Sequence, residues 1–472
     1  MSKTIVGRSK EKEKLSLALK SSRSELIAVY GRRRIGKTHL IRNFYNDKII
    51  FSFTGLQTGT RADQIENFML KLNEVSYEFR KEKPKSWLEA LHLLKIFLTR
   101  QKETDNKMVI FIDEFPWVDS HKSKFLPAFE NFWNDYCTTR NDLIVVVCGS
   151  AASYIIKNII QNRGGLYNRI TSKIKLEPFS LYETELFLKY KKVKMKRNEI
   201  LKIYMAFGGI AEYLQHIESG DSSVTAIQRL CFEKGALLEN EYSLVFKSLF
   251  AKGSYHEKII QILVNSKKMG LTRDELIEQM DVSSGGRFSS YLEELIQTGF
   301  VQKYEAYIEN YKATLFRIYD EFCLFHLQFM TQFKNNNWQQ IYTKQTYKTW
   351  CGYAFEMICL KHVNEIKNAL KCDQIQSDNY AWRNANAQID LVIDRDDNIV
   401  NLCEIKFFKG EFSIDDAYFD KLLKKEIEFE KTTVTKKTVH TVLLTTWGIK
   451  QNENSRAIVA QEVIMDGLFK MV

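Results

Sequence analysis

The segment Gly31-Arg-Arg-Arg-Ile-Gly36-Lys37-Thr38 constrains this chain more than any other. It spells G-x-x-x-x-G-K-[ST], preceded by an apolar run over residues 25–30 and followed by a stretch with helical spacing. Such a loop needs its glycines so that backbone N–H groups can close around phosphate oxygens, and the helix behind it adds a favourable field. The strand–loop–helix context turns the pattern into a prediction of a nucleoside triphosphate site, for ATP with Mg²⁺. Lys37 is expected to reach the β- and γ-phosphates and Thr38 to ligate the metal, with Gly31, Arg34, Gly36 and His39 completing the ATP contacts.

A P-loop calls for a second strand that ends in acids, and Met108-Val-Ile-Phe-Ile-Asp113-Glu114 provides one. Asp113 is expected to hold Mg²⁺ through water, and Glu114 to act as general base on the attacking water. Around these motifs the first 180 residues alternate strand-like and helix-like segments, which predicts a parallel α/β sheet. Strands are expected at residues 25–30, 48–54, 108–113, 143–148 and 172–176. All four prolines lie in this region, and Pro178 closes it.

Here the chain resembles the AAA+ ATPases, in a prokaryotic branch abundant in archaea. Val6-Gly7-Arg8, the Gly-Arg-Arg-Arg loop and Asp113-Glu114 carry the likeness. The resemblance implies that Ser150, in Cys148-Gly-Ser150, is a polar sensor for the γ-phosphate. It also implies that Arg169, in Leu166-Tyr-Asn-Arg169, is an arginine finger offered to another copy in a homo-oligomer, with Arg163 as its competitor. Relatives commonly carry glycine where Asn168 stands. Residues 204–214, with Gly208-Gly209, resemble part of the helical lid. Arg32, Arg33 and Arg34 then become loop positions facing neighbouring subunits or domains. A protein remodeller driven by ATP would need an aromatic pore loop, and Phe51-Ser-Phe53 reads as core instead.

Three further domains are expected behind the ATPase core of residues 1–180. Residues 181–250 read as a helical lid. Residues 251–342 hold three helix-like segments and two short strand-like pieces at 300–304 and 314–318, the order of a winged helix-turn-helix. Thr272 and Glu275 form a capping box at the second helix, and Ser283-Ser-Gly-Gly286 makes the turn before the third. Arg287, Lys303 and Lys312 are placed to meet DNA there, whereas Glu293 and Glu294 would repel it. Residues 343–472 predict one helix, a strand pair, a long charged helix and a strand at 438–445.

That strand pair carries a second candidate site. It turns near Asp396-Asp397, so Asp390 and Glu404, equally spaced from residue 397, fall opposite each other. Lys406 shares their face because side chains alternate along a strand. Two acids and a lysine on one face can bind a divalent metal and activate water. The pattern resembles the PD-(D/E)xK nuclease superfamily, which often adds a glutamate from the preceding helix, and Phe355-Glu356 supplies it. That resemblance implies Mg²⁺ or Mn²⁺ on Glu356, Asp390 and Glu404, with Lys406 assisting catalysis.

Composition sets the outer limits. The net charge of +11 favours a polyanionic partner, with DNA expected. Eight scattered cysteines fit buried thiols in a reducing, cytoplasmic compartment. No apolar run approaches the roughly 18 residues of a membrane span. The fold expected is α/β: a P-loop AAA+ domain with helical lid, a winged helix-turn-helix, and an α/β PD-(D/E)xK-like C-terminal domain. The function expected is an ATPase coupled to a metal-dependent, DNA-directed nuclease. The alternative is an ATP-dependent switch that binds nucleic acid or protein without cutting.

Overall fold

The computed structural model describes every residue except 1–3, 102–105, 120–121, 162–163, 251–252, 267–268, 282–284, 334–336 and 472. Arg163, Ser283 and Ser284 therefore lie outside the described residues. The chain divides into two compact units, one ending at Pro178 and the other beginning at Phe179.

The first unit is an α/β layer built on five strands: β1 Glu25–Tyr30, β2 Ile49–Thr54, β3 Met108–Asp113, β4 Leu143–Gly149 and β5 Ser172–Lys175. Their order is β2-β3-β4-β1-β5, and every neighbouring pair is parallel. The strands form where the sequence runs continuously apolar. All seven residues of β4 and the first five of β1 are buried, as a sheet covered on both faces demands. Phe51 and Phe53 are buried, and both rings lie edge-on to Phe68. They are core, as the sequence indicated. Because β1 lies between β4 and β5, the loop after it emerges inside the sheet rather than at its edge.

The second unit opens with helices Leu181–Tyr190 and Arg197–Phe207. Gly208-Gly209 breaks the second helix so that the chain can turn back onto Phe179. The Phe179 N–H donates to the Gly209 carbonyl at 2.8 Å, and the Tyr204 hydroxyl donates to the Phe179 carbonyl at 2.8 Å. A side chain at Gly209 would lie 1.9 Å from that same carbonyl oxygen, so only glycine fits.

Seven strands follow, in the order β12-β11-β10-β9-β8-β6-β7. They are β6 Val301–Ile308, β7 Tyr311–Ile318, β8 Ser377–Arg383, β9 Gln388–Arg395, β10 Ile399–Lys406, β11 Thr438–Thr445 and β12 Val459–Ile464. Helices Gly253–Asn265, Arg273–Met280 and Gly286–Gln297 precede the β6–β7 hairpin, and the Thr272/Glu275 capping box is present. The hairpin is longer than the sequence suggested, and β6 pairs in parallel with β8. Elements on both sides of residue 342 thus share one sheet. The helix Asp416–Thr433 packs Phe429 edge-on to Trp382 of β8, beside Val392 and Leu402. All eight cysteines are buried free thiols. Among the described residues no helix is long and apolar enough to cross a membrane.

Candidate functional site

Two groups of the expected site residues are drawn together, one in each unit. In the first, the loop after β1 adopts backbone angles that its glycines permit. Gly31 has φ +145°, and a side chain there would meet the Leu176 carbonyl oxygen at 2.2 Å. Gly36, at φ +94°, caps the helix Lys37–Tyr45. The buried Arg8 guanidinium donates to the carbonyls of Glu177 (2.6 Å) and Ile35 (3.3 Å), tying the loop to the end of β5. Sequence reasoning noted Arg8 only as part of a likeness. Its structural role depends on a contact across 169 residues, which no local pattern reveals.

The buried Lys37 ammonium donates to the carbonyls of Gly31 (3.0 Å) and Arg32 (2.8 Å), which sets it over the loop. Burial pushes this ammonium below its ordinary range, and Cys148, Glu114 and Asp113 oppose that shift. The Thr38 hydroxyl donates to Asp113 Oδ2 at 2.7 Å. Two hard oxygens side by side suit Mg²⁺, so the donor set fits the ion that the P-loop implies. Asp113 Oδ1 accepts from the Glu114 N–H at 3.0 Å.

Glu114 sits in the left-handed region at φ 45°, and Ser150 holds its carboxylate. The Ser150 N–H and hydroxyl donate to Glu114 Oε2 at 3.1 and 2.8 Å. Ser150 therefore touches the candidate base directly. His39 lies aside, with Nε2 3.4 Å from the Thr4 carbonyl and Nδ1 3.1 Å from the Asn43 amide. Arg34 is half-buried at φ 70°. Arg169 is exposed in a turn, and Asn168 before it has φ 55°, a conformation asparagine tolerates better than most residues. Asparagine at position 168 is thus accommodated at a positive φ without a glycine.

In the second unit, β9 and β10 pair Leu391 with Cys403, and one further step of that register sets Asp390 beside Glu404. Asp390, Glu404 and Lys406 line a cavity of about 300 Å³ together with Lys421, Lys424 and Lys425. Glu404 is heavily engaged. Its Oε1 accepts from the Tyr418 hydroxyl at 2.6 Å and lies 2.9 Å from Lys406 Nζ, while Oε2 accepts from Lys425 at 2.6 Å. Burial alone would raise the Glu404 carboxyl. Lys425, Lys406 and Tyr418 outweigh burial and hold it at about 2. Burial, reinforced by Asp390, pushes Glu356 up to about 8. Burial and Glu404 raise Asp390, which also accepts from Gln388 at 2.8 Å.

In this arrangement Glu404, one of the expected metal ligands, is already engaged by protein. Oxygen donors would suit Mg²⁺ or Mn²⁺, yet both oxygens of Glu404 already face protein donors. Among the described residues no three His, Cys, Asp or Glu side chains are gathered to hold a metal ion. Glu356, Asp390 and Glu404 therefore do not form an assembled cage. Sequence reasoning also missed Tyr418, Lys421 and Lys425. Their spacing of three and seven residues puts them on one helix face, a signal hidden within a generally charged helix.

Residues 5–217 match the family described as an ATPase domain predominantly from Archaea. The chain thus carries an archaeal-type ATPase domain, with the parallel sheet of a P-loop ATPase. It is 24% identical over 402 residues to an uncharacterized protein of Methanocaldococcus jannaschii, covering 82% of this chain and 84% of that one. Among solved structures, the Walker-type ATPase of Pyrococcus abyssi superposes with a TM-score of 0.50 at 17% identity, covering 69% of this chain and 96% of that one. The Aeropyrum pernix ORC2 protein gives 0.43 at 16% identity, covering 68% and 92%.

Proposed function

We propose that the chain is an ATP-dependent switch that binds and hydrolyses ATP at the P-loop and grips nucleic-acid phosphates, DNA first, in the cavity of its second unit. In the first unit Lys37 binds the β- and γ-phosphates, Thr38 and Asp113 hold Mg²⁺, and Glu114 orients the attacking water from the position Ser150 gives it. Bound there, Mg²⁺ would neutralise phosphate charge. Arg169 is offered to a second copy.

The observation that carries the nucleic-acid reading is the charge of the cavity. Four lysines (Lys406, Lys421, Lys424 and Lys425) face two carboxylates (Asp390 and Glu404). A surplus of ammonium groups in a recess suits a phosphodiester backbone, and such binding weakens with salt. The test is DNA binding by fluorescence anisotropy across a salt series. Changing Lys421 and Lys424 together to Gln is expected to weaken binding and flatten the salt slope, and unchanged binding would sink this reading. Lys37→Ala is expected to abolish ATP hydrolysis.

A second reading, metal-dependent cutting, is favoured by Asp390 facing Glu404 with Lys406 on the same strand as Glu404, and by Glu356 lying close enough for both carboxylates to raise it. It requires Glu404 to exchange its lysine partners for a cation. Supercoiled and linear DNA incubated with Mg²⁺ or Mn²⁺ decides it. Cutting lost in Lys406→Ala supports this reading, and DNA left intact by the wild-type chain ends it.

A further inference from the structure

Two residues past Lys406, which lines the lysine cavity, and two past its β11 partner Thr445, stand two exposed aromatic rings, Phe408 and Trp447. Phe408 is 49% exposed and Trp447 is 45% exposed. Trp447 is the exposed tryptophan among the described residues. The two residues are held in neighbouring segments. Lys406 pairs with Thr445 at the ends of β10 and β11. Just beyond, the Phe408 N–H donates to the Thr446 hydroxyl at 3.0 Å, and that hydroxyl donates back to the Phe408 carbonyl at 2.5 Å. The Phe412 N–H donates to the Gly448 carbonyl at 2.8 Å, and the Lys450 N–H to the Phe412 carbonyl at 2.9 Å. Residues 408–412 and 446–450 are therefore stitched together by two backbone bonds and the Thr446 hydroxyl.

A row of rings connects this surface to the acids. Phe408 meets Phe412 edge-on at 5.7 Å, and Phe412 meets Tyr418 edge-on at 5.1 Å. The Tyr418 hydroxyl bonds Glu404, while the ammonium groups of Lys406 and Lys421 lie 5.6 and 5.5 Å from its ring centre. Large rings left in water cost hydration unless a partner covers them. Lysines in a recess bind phosphate without regard to strandedness. Exposed aromatic faces add a distinction, because they can stack only on bases that a duplex does not hide.

We propose that the second unit takes single-stranded nucleic acid, with phosphates on Lys406, Lys421, Lys424 and Lys425 and an unpaired base stacked on Phe408 or Trp447. This rests on the nucleic-acid reading above and adds the substrate class to it. Stacking one base on an aromatic side chain contributes enough to change binding about tenfold.

The experiment measures binding of the full chain, in EDTA, to labelled single-stranded DNA, single-stranded RNA and a duplex of the same sequence. The double variant Phe408→Ala/Trp447→Ala is expected to bind one or both single strands about tenfold more weakly and the duplex as wild type does. Trp447→Phe, which keeps a ring, is expected to retain single-strand binding, and Trp447 fluorescence should be quenched by the single strand. Equal losses for single strand and duplex, or no loss for either single strand, would overturn the inference. The Lys421→Gln/Lys424→Gln variant separates the two claims. If the lysines matter and the rings do not, only this inference fails. If the lysines do not matter for any of the three, the nucleic-acid reading fails.

Discussion

Acidification should destabilise the second unit through one buried imidazole, His362. The ring is 3% exposed and sits between two backbone groups. Its Nε2 accepts from the Leu181 N–H at 3.2 Å, so the ring proton must be on Nδ1, which lies 2.8 Å from the Ile358 carbonyl. A second proton on Nε2 would point at an amide N–H. Burial accordingly pushes His362 down from 6.5 to about 4, with Lys361 acting in the same direction and the Ile358 carbonyl opposing. The unfolded chain binds this proton below pH 6.5, whereas the folded chain resists until about pH 4. The contribution to stability is therefore fully present above pH 6.5 and is lost as the pH falls toward 4.

Between pH 8 and pH 5 the loss from this one group is about 2 kcal/mol by linkage. The assay is urea unfolding at both pH values for wild type and His362→Gln, with hydrogen exchange of the peptide containing Leu181 reporting on the second unit. Other titrating groups contribute alike to both proteins, so the comparison isolates the imidazole. The wild-type drop should exceed the variant's by about 2 kcal/mol. Equal drops would refute the buried neutral tautomer.

Ser150→Ala removes the hydroxyl donor that fixes Glu114, so ATP hydrolysis should fall about tenfold at unchanged ATP affinity, one charge-assisted hydrogen bond being involved. Parallel losses in turnover and affinity would argue for direct phosphate contact instead. Gly209→Ala forces a methyl group against the Phe179 carbonyl and should cost about 1–3 kcal/mol, read as a lowered urea midpoint. Lys425→Met withdraws an ammonium from Glu404, so Mn²⁺ binding followed by electron paramagnetic resonance should strengthen. No change would show that Lys425 does not compete for that carboxylate.

How much of the fold could be read beforehand follows from where each strand's stabilisation arises. β1, β3 and β4 declare themselves because they are buried on both faces and are written as unbroken apolar runs. Their bounds agree with expectation to within a residue. The Thr272 capping box is equally legible, since its partners lie three residues apart. β8 is not. Its Ser-Asp-Asn-Tyr-Ala-Trp-Arg sequence buries only Ala381 and Trp382, and it forms because β6 and β9 flank it. β12, with Val463 buried alone, depends in the same way on β11. Pairing across such distances leaves no period in the sequence.

The second site divides along the same line, and the division bears on what it does. Asp390, Glu404 and Lys406 were legible because one hairpin register relates them. Their partners Tyr418, Lys421 and Lys425 come from a helix held by Phe429 on Trp382 and by Leu422 in a cluster with Ile414, Leu443, Ile449 and Ile458, contacts that are distant in sequence. Yet those partners set the charge around Glu404. Three acids without them would leave uncompensated negative charge and favour a divalent cation. With Lys406 and Lys425 on Glu404, the charge is met by protein, and the remaining lysines turn the recess toward phosphate. A local pair of acids with a lysine thus sits inside a nonlocal frame that supplies further lysines, and Lys425 is the residue at which the two proposed readings separate.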